Sequence, residues 1–576
     1  MKILSHKRTG EILTDLMEQW EIDHIYGMPG DSINEFIDDL RKKEEQIKFL
    51  QIRHEETGAL AASAYAKLTG KIGACLSIAG PGAIHLLNGL YDAKEDGVPL
   101  LAIVGQVSSN AVGTDAFQEI NLERLFEDVA VFNQAAVSAE QLPDLFNMAV
   151  RAAYAKKGPA VIIVPDDLFA EKQKSEPSLT AVGYNQPMIM PEETTISAAL
   201  ELINNAEKPV ILAGKGCVKS GNELAEFADK IKAPIVLSLL GKGIIPDYHE
   251  LNLGQHGQIG TKPAYQAVMD SDLLLLIGTT FPYREFLPDN TKAIQIEIDP
   301  SKIGNFYPVI EGLCGDASKI LPKLTSLVAK KKDSKSLNKY QEKMKKWHIE
   351  MKRIKEEIAN PIQAPQLMNE LGNVVDKSAI ISCDVGNVTV WTVRFFPFIS
   401  QQFIASGRLA TMGFGLPGAI ASQVAYPERQ VVAICGDGGF AMGMQDFVTA
   451  VKYDLPIKVV VLNNSKIGMI KYEQEEMGHL NYKTDMQDID FAAFAKASGG
   501  EGYRIEKQED LENSLKQAFM SDKPAVIDVA IEDMAPLPGR ITYDQAIKYS
   551  EYLIKEFFTN NKLDFPDMGR AAKRLL

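Results

Sequence analysis

Short apolar runs recur along the chain, separated by stretches whose apolar residues return at helical spacing. The runs are KIGACLSIAG (71–80), PLLAIVGQ (99–106), PAVIIVP (159–165), KPVILAGKG (208–216), APIVLSL (233–239), DLLLLIGTT (272–280), AIQIEIDP (293–300), QVVAICGDG (430–438) and IKVVVLNN (457–464). Such runs suit strands buried on both faces of a parallel sheet, and their alternation with helices predicts α/β architecture: doubly wound domains with mostly parallel sheets. The longest, such as LLLLIG at 273–278, fall far short of the roughly 20 residues that cross a bilayer. The N-terminal segment MKILSHKRTGEILTDLMEQW patterns as an amphipathic helix, without the apolar core or cleavage site of a signal peptide.

Two segments break the rhythm. Residues 171–194 are polar, Pro-containing and aperiodic, and read as a linker; residues 329–359 are Lys-rich and highly charged, and read as a solvated helix between domains. The chain thus divides into units at 1–180, 190–340 and 360–540, followed by a tail at 541–576. No short-period repeat is present. Periodicity alone leaves open whether the first and third units share a fold. In the tail, Ala546, Ile547, Leu553, Ile554, Phe557 and Phe558 cluster toward one helical face, with Lys548, Glu551, Lys555 and Glu556 interleaved. Such a helix either docks on a membrane surface or packs on its own protein, and the sequence weighs the two equally.

Composition narrows the chemistry. Of the 576 residues 45% are apolar and 24% charged, the balance of a soluble globular protein. A formal net charge of −15 argues against nucleic-acid binding but leaves room for an acidic small molecule drawn in by a local field. The five cysteines are odd in number and lack metal-ligand spacing, which fits a reducing compartment such as the cytoplasm.

The most informative segment is GDGGFAMGMQDFVTAVKYDLPIKVVVLNNSKIGMIKYEQ, beginning at Gly436. A strand ends at Gly436-Asp437-Gly438, a helix with Met444, Phe447, Ala450 and Val451 on one face follows, and the next strand ends at Asn463-Asn464. A right-handed βαβ crossover makes the strands parallel and brings Asp437 and Asn464 to one sheet edge, where ligands bind in open α/β folds. A carboxylate, an amide oxygen, a backbone carbonyl and diphosphate oxygens suit Mg²⁺. Gly436 and Gly438 let the backbone approach phosphates. The plain alternative is a glycine-rich turn with Asp437 as helix N-cap, and the asparagine pair on the following strand weighs against it.

This pattern resembles the thiamine diphosphate motif of the thiamine enzymes that act on 2-oxo acids. The resemblance implies that Asp437, the Asn464 side chain and the backbone carbonyl of Lys466 hold Mg²⁺. RHEETGALAASAYAKLTG at 53–70 is similar to the family's glutamate-bearing helix and places the glutamate at Glu55. Its implied role is to protonate N1′ of the aminopyrimidine; the alternative is a carboxylate at the positive end of a helix dipole. SIAGPGAIHLLNGLYDAKEDGVPLLAIVGQ, CDVGNVTVW and ASGRLATMGFGLPGAIA extend the likeness. In the last of these, Met412, followed by Gly413, matches the bulky residue that bends the cofactor, a role compatible with that of an ordinary core methionine. In this family the two half-sites come from different subunits, so the resemblance implies at least a homodimer, and usually a homotetramer.

The branch is read from three further segments. KPVILAGKG, LLIGTTFPYREF, AIQIEIDPSKIG and CGDA in the middle unit look like the FAD-binding relatives and assign Gly214, Gly216, Thr279, Arg284, Asp299 and Asp316 to FAD. No GxGxxG is present, and a cofactor-free spacer is the alternative. DAFQE at 115–119 resembles the pyruvate oxidase branch, where an aromatic and an amide, here Phe117 and Gln118, lie between substrate and flavin. IGMIKYEQE at 467–475 resembles the same branch, with Ile470 over the substrate and Glu473 near its carboxylate or the acetyl intermediate; a solvated helix residue is the alternative for Glu473. The implied reaction is oxidative decarboxylation of pyruvate to CO2 and acetate or acetyl phosphate, with electrons passing through FAD to a quinone or to oxygen. The quinone type works at the membrane, so a cytoplasmic protein with peripheral contact to the inner face of the cell membrane is implied if the tail binds lipid. An acetohydroxyacid synthase, whose FAD does no net redox work, is the nearest competing enzyme, and a non-catalytic cofactor-binding scaffold is the competing non-enzyme.

Overall fold

The computed structural model describes residues 7–173, 184, 188–332, 334–536 and 543–560. Three parallel six-stranded sheets follow one another along the chain, an α/β fold throughout. The first holds β1 (His24–Gly27), β2 (Lys48–Gln51), β3 (Gly73–Ser77), β4 (Leu100–Gln106), β5 (Phe132–Ala135) and β6 (Pro159–Pro165), in the order β2-β1-β3-β4-β6-β5. The second holds β7 (Pro209–Ala213), β8 (Ile235–Leu237), β9 (Asn252–Gln255), β10 (Leu273–Ile277), β11 (Lys292–Glu297) and β12 (Glu311–Cys314), in the order β12-β11-β10-β7-β8-β9. The third holds β13 (Ile380–Cys383), β14 (Gln402–Ala405), β15 (Val431–Gly436), β16 (Lys458–Asn463), β17 (Glu501–Ile505) and β18 (Ala525–Ala530), in the order β14-β13-β15-β16-β18-β17.

Each apolar run singled out above is a strand, and β4, β6, β7, β10 and β16 are buried along their whole length. The topology answers the question that periodicity left open. Counted from its own first strand, the third sheet repeats the order of the first. The helices that follow the second strand of each, Glu55–Thr69 and Gly415–Ala425, pack against one another. Both are rich in alanine and glycine, which lets them come close, and one hydrophobic core runs through the two units. The middle sheet instead has the order 3-2-1-4-5-6 in its own count, the doubly wound arrangement of dinucleotide-binding domains.

Two expectations need correction. The Lys-rich stretch is a helix, Lys335–Glu356, but one face is buried rather than solvated. Tyr340 and Met344 pack into the core of the middle unit and Met351 into that of the third, so the helix is a strut between them. The helix after Gly436-Asp437-Gly438 is not continuous: Asp437–Gly443 gives way to a tight turn at Met444–Asp446 and then to Phe447–Lys452. Glycine at 443 weakens the helix there. The buried Asp446 carboxylate also accepts from the backbone N–H of Arg53 in the first unit at 2.7 Å and from Thr449 Oγ1 at 2.9 Å, which holds the break in place.

Most of the linker at 171–194 lies outside the described residues. The tail forms the helix Tyr543–Asn560, packed on the helix Gly468–Glu476 through buried Tyr552, while Ile547 and Ile554 are exposed. The side chains of Ala546, Phe557 and Phe558 lie outside the described residues. The five cysteines are unpaired. No helix among the described residues is long and apolar enough to cross a membrane.

Candidate active site

In the third sheet the strand order reverses between β13 and β15, which opens a crevice at their carboxyl ends. Asp384 follows β13 and Asp437 follows β15. The Asp437 carboxylate is buried and accepts from the backbone N–H groups of Ser465 at 2.6 Å and Gly438 at 2.9 Å. Burial pushes its carboxyl up to about 6, against the pull of backbone donors from Gly438 and the turn at 464–466. Asn464 Oδ1 accepts only a long bond, 3.3 Å, from the Lys466 N–H. Asp437, Asn464 and Lys466 are therefore brought together, as the βαβ argument requires.

The crevice has open room and unpartnered acceptors, which suit a cation or a hydrogen-bond donor. A Cβ placed on Gly436 or Gly386 would meet nothing within 4 Å, and Gly413 has a left-handed φ of 89° that keeps its loop clear of side chain. Asn387 Oδ1 and Asp384 Oδ2 are buried without a hydrogen-bond partner. Met412 closes one wall: its Cε lies 3.3 Å from the Cβ position of Gly438, beside Met486. Asp384, which the sequence reading did not single out, ties the crevice together. Its Oδ1 accepts from Gly413 N at 2.8 Å, its other oxygen faces Gly439, and burial pushes its carboxyl up to about 6.

In the first unit Glu55 opens its helix and is 7% exposed. His85, also missed, lies with Nδ1 2.9 Å from Glu55 Oε2. The other carboxylate oxygen faces Gly82, where a Cβ would come within 3.0 Å. His54 stacks on His85 with ring centroids 4.3 Å apart. The donors of His54, Glu55 and His85 lie within 4.8 Å of one another, but stacked rings aim their in-plane lone pairs side by side rather than at one ion. The trio thus reads as a held carboxylate rather than a metal centre. Gln118 adopts a left-handed φ of 63° against Gly80, and the Phe117 side chain is 85% exposed.

Ile470 is exposed and Glu473 half-buried on the helix Gly468–Glu476. The underside of that helix is fixed by Tyr472 bonding Asp533 at 2.8 Å and by Glu475 accepting from Asn481 at 2.8 Å. The tail adds a bond from Lys555 Nζ to Gly478 O at 2.7 Å.

The middle sheet reverses between β10 and β7, and the candidate flavin glycines lie there. Gly214 N donates to Ile277 O at 3.0 Å and Gly216 N to Gly278 O at 2.9 Å. Added Cβ atoms would come within 2.6 Å of Thr279 Cβ and Gly278 Cα respectively, so only glycine allows the two strand ends to close on one another. Arg284 lies over the Tyr307 ring at 5.3 Å. Asp299 and Asp316 follow β11 and β12, and each accepts from the N–H two residues on, at 3.0 and 2.8 Å, as a cap of the next turn. In a doubly wound sheet of this order such a switch point is where dinucleotides bind.

Two like-folded units, one with an acceptor-lined crevice at its switch point and one with a buried glutamate, flank a unit of dinucleotide-binding strand order, the arrangement of a thiamine diphosphate-dependent enzyme. The comparisons agree. The thiamine pyrophosphate enzyme N-terminal TPP binding domain matches residues 7–125, the central domain matches 196–324, and the C-terminal TPP binding domain matches 384–529. A protein of Bacillus subtilis (strain 168), YdaP, described only as thiamine pyrophosphate-containing, is 54% identical over 573 residues, 99% of this chain and 100% of that protein. Pyruvate oxidase of Lactiplantibacillus plantarum is 36% identical, covering 92% of this chain and 89% of its own length. The acetolactate synthase large subunit of Parasynechococcus marenigrum is 32% identical, covering 92% and 89%. The chain belongs to the thiamine pyrophosphate enzyme family and is related within it to pyruvate oxidase and acetolactate synthase. It is an enzyme of the kind that acts on a 2-oxo acid.

Proposed function

We propose that this enzyme oxidatively decarboxylates pyruvate, passing the electrons through FAD to a quinone or to oxygen. The observation that carries the proposal is the 3-2-1-4-5-6 strand order of the middle sheet, which places a dinucleotide-type switch point between β7 and β10 in the same chain as the thiamine site. Asp437, the Asn464 side chain and the Lys466 carbonyl would hold Mg²⁺, and Gly436 and Gly438 would lie against the diphosphate. Bound thiamine diphosphate supplies the electron sink for decarboxylation and FAD the oxidant. Met412, whose Cε lies 3.3 Å from the Cβ position of Gly438, would pack against the thiamine cofactor. Glu55, held by His85 at 2.9 Å, would protonate the pyrimidine nitrogen of the bound cofactor, general acid catalysis from a fixed carboxyl. Phe117 and Gln118 would lie between substrate and flavin, Ile470 would lie over the substrate, and Glu473 would lie near its carboxylate or the acetyl intermediate. Gly214, Gly216, Thr279, Arg284, Asp299 and Asp316 would hold the flavin nucleotide. Glu55 and Asp437 serve one site across two subunits, so the working unit is at least a dimer.

Acetolactate synthase relatives span as much of the chain as pyruvate oxidase does, which keeps carboligation as the second reading. The two part on the flavin. Mixing protein loaded with thiamine diphosphate, Mg²⁺ and FAD with pyruvate, without oxygen, should bleach the visible flavin band, and a soluble quinone or oxygen should restore it. Pyruvate consumed over an unbleached flavin, with acetolactate formed, overturns the oxidative reading.

A further inference from the structure

The loop at 406–413 touches all three units. Its start is anchored to the first unit, where the Asp96 carboxylate accepts from Gly407 N at 3.0 Å and Arg408 N at 3.1 Å. Asp96 is itself buried and paired with Lys67 at 2.6 Å, so the anchor is stiff. The far end lies at the thiamine site. Thr411 Oγ1 accepts from Asn88 at 2.9 Å, and Gly413 N donates to Asp384, which sets Met412 beside Gly438. The Arg408 side chain runs the other way, into the middle unit. Its guanidinium sits 5.6 Å over the Phe306 ring, and Nη1 reaches Thr280 Oγ1 at 3.4 Å. Thr280 is the neighbour of Thr279 at the β7–β10 switch point. Glu95 of the first unit competes from 3.8 Å. These contacts are long, and a guanidinium carries five donors, so Arg408, exposed beside the switch point, retains donor capacity for a phosphate or carbonyl oxygen.

We propose that Arg408 couples the two cofactor sites: flavin seated at the β7–β10 switch point draws its guanidinium away from Glu95, and the loop carries that constraint to Met412 and Gly413. The inference rests on the flavin reading above. Arg408 is a positioning residue, because it acts on the thiamine site through its own loop. Linkage then requires each cofactor to tighten the other by the same factor.

The test is a titration of the full-length apoprotein with thiamine diphosphate in Mg²⁺, with and without saturating FAD, and the reverse. In the wild-type protein each cofactor should tighten the other roughly fivefold or more. Arg408→Ala removes an exposed side chain, so the fold should persist; both cofactors should still bind, with the mutual factor reduced to about one. Arg408→Lys keeps the charge without the planar fork and should fall between. Thr280→Val removes the acceptor from the opposite side with the loop intact and should lower the factor as well, which covers a failure of the alanine variant to bind. A factor of one in the wild type, or an undiminished factor in Arg408→Ala and Thr280→Val, overturns the coupling alone. FAD that does not bind the wild-type protein overturns the flavin reading and the coupling together.

Discussion

Gly436→Ala should act with opposite sign on the apoprotein and on cofactor binding. Gly436 sits at φ −76°, ψ 156°, backbone that any residue adopts, and a Cβ there would touch nothing within 4 Å. The methyl group therefore disturbs no packing. By restricting the unfolded chain it should stabilise the apoprotein by about 0.4–1 kcal/mol. The space it enters is the crevice between β13 and β15, bounded by Asp384, Asn387 and the turn at 464–466, which we assign to the diphosphate. Overfilling a close-packed site costs about 1–3 kcal/mol, so the thiamine diphosphate dissociation constant should rise roughly 5- to 150-fold. Urea unfolding of the apoprotein reads the first effect, and isothermal titration with the cofactor in Mg²⁺ reads the second. Unchanged affinity would refute the cradle, and a less stable apoprotein would refute the backbone argument. Gly216→Ala is the contrast: its Cβ would lie 2.6 Å from Gly278 Cα, so it should destabilise the middle unit itself.

Other perturbations separate the remaining roles. Glu55→Gln is isosteric beside Gly82 and should keep the cofactor bound while lowering turnover about 10²- to 10⁴-fold; near-normal pyruvate consumption would remove Glu55 from the mechanism. Asp437→Ala should abolish Mg²⁺-dependent cofactor binding, as should chelation of the metal in the wild type, and unaltered affinity rejects the site. Phe117 is 85% exposed, so Phe117→Ala should leave stability within about 0.5 kcal/mol while slowing flavin reduction; an unaltered reduction rate counts against its placement. Deleting residues 543–576 tests the tail in liposome flotation, where equal lipid binding with and without it would end the membrane reading.

The legible strands were the longer apolar runs buried on both faces; β1, β9 and β13 are buried as completely, but at four residues each, with His24, Asn252, Gln255 or Ser382 among them, they made no run. The short edge strands β2 and β5 carry exposed positions, and so they gave no such signal. The charge of Lys335–Glu356 concealed its buried side, since a few apolar residues at helical spacing suffice to dock a long polar helix on two neighbours.

By itself the sequence determined the α/β class, the strand-borne placement of Asp437 and Asn464, and the family, because each is written in local periodicity or in one contiguous βαβ unit. Tertiary structure decided the rest. The shared order of the first and third sheets is a matter of which strands become neighbours, and no single segment records it. His85 meets Glu55 across 30 positions, Asp384 meets Gly413 across 29, and Arg408 meets Thr280 across 128. None of those side chains carries a local pattern that names its partner. They converge because reversals of strand order open crevices at the carboxyl ends of the sheets, and the loops that line those crevices are brought together only when the units fold and pack.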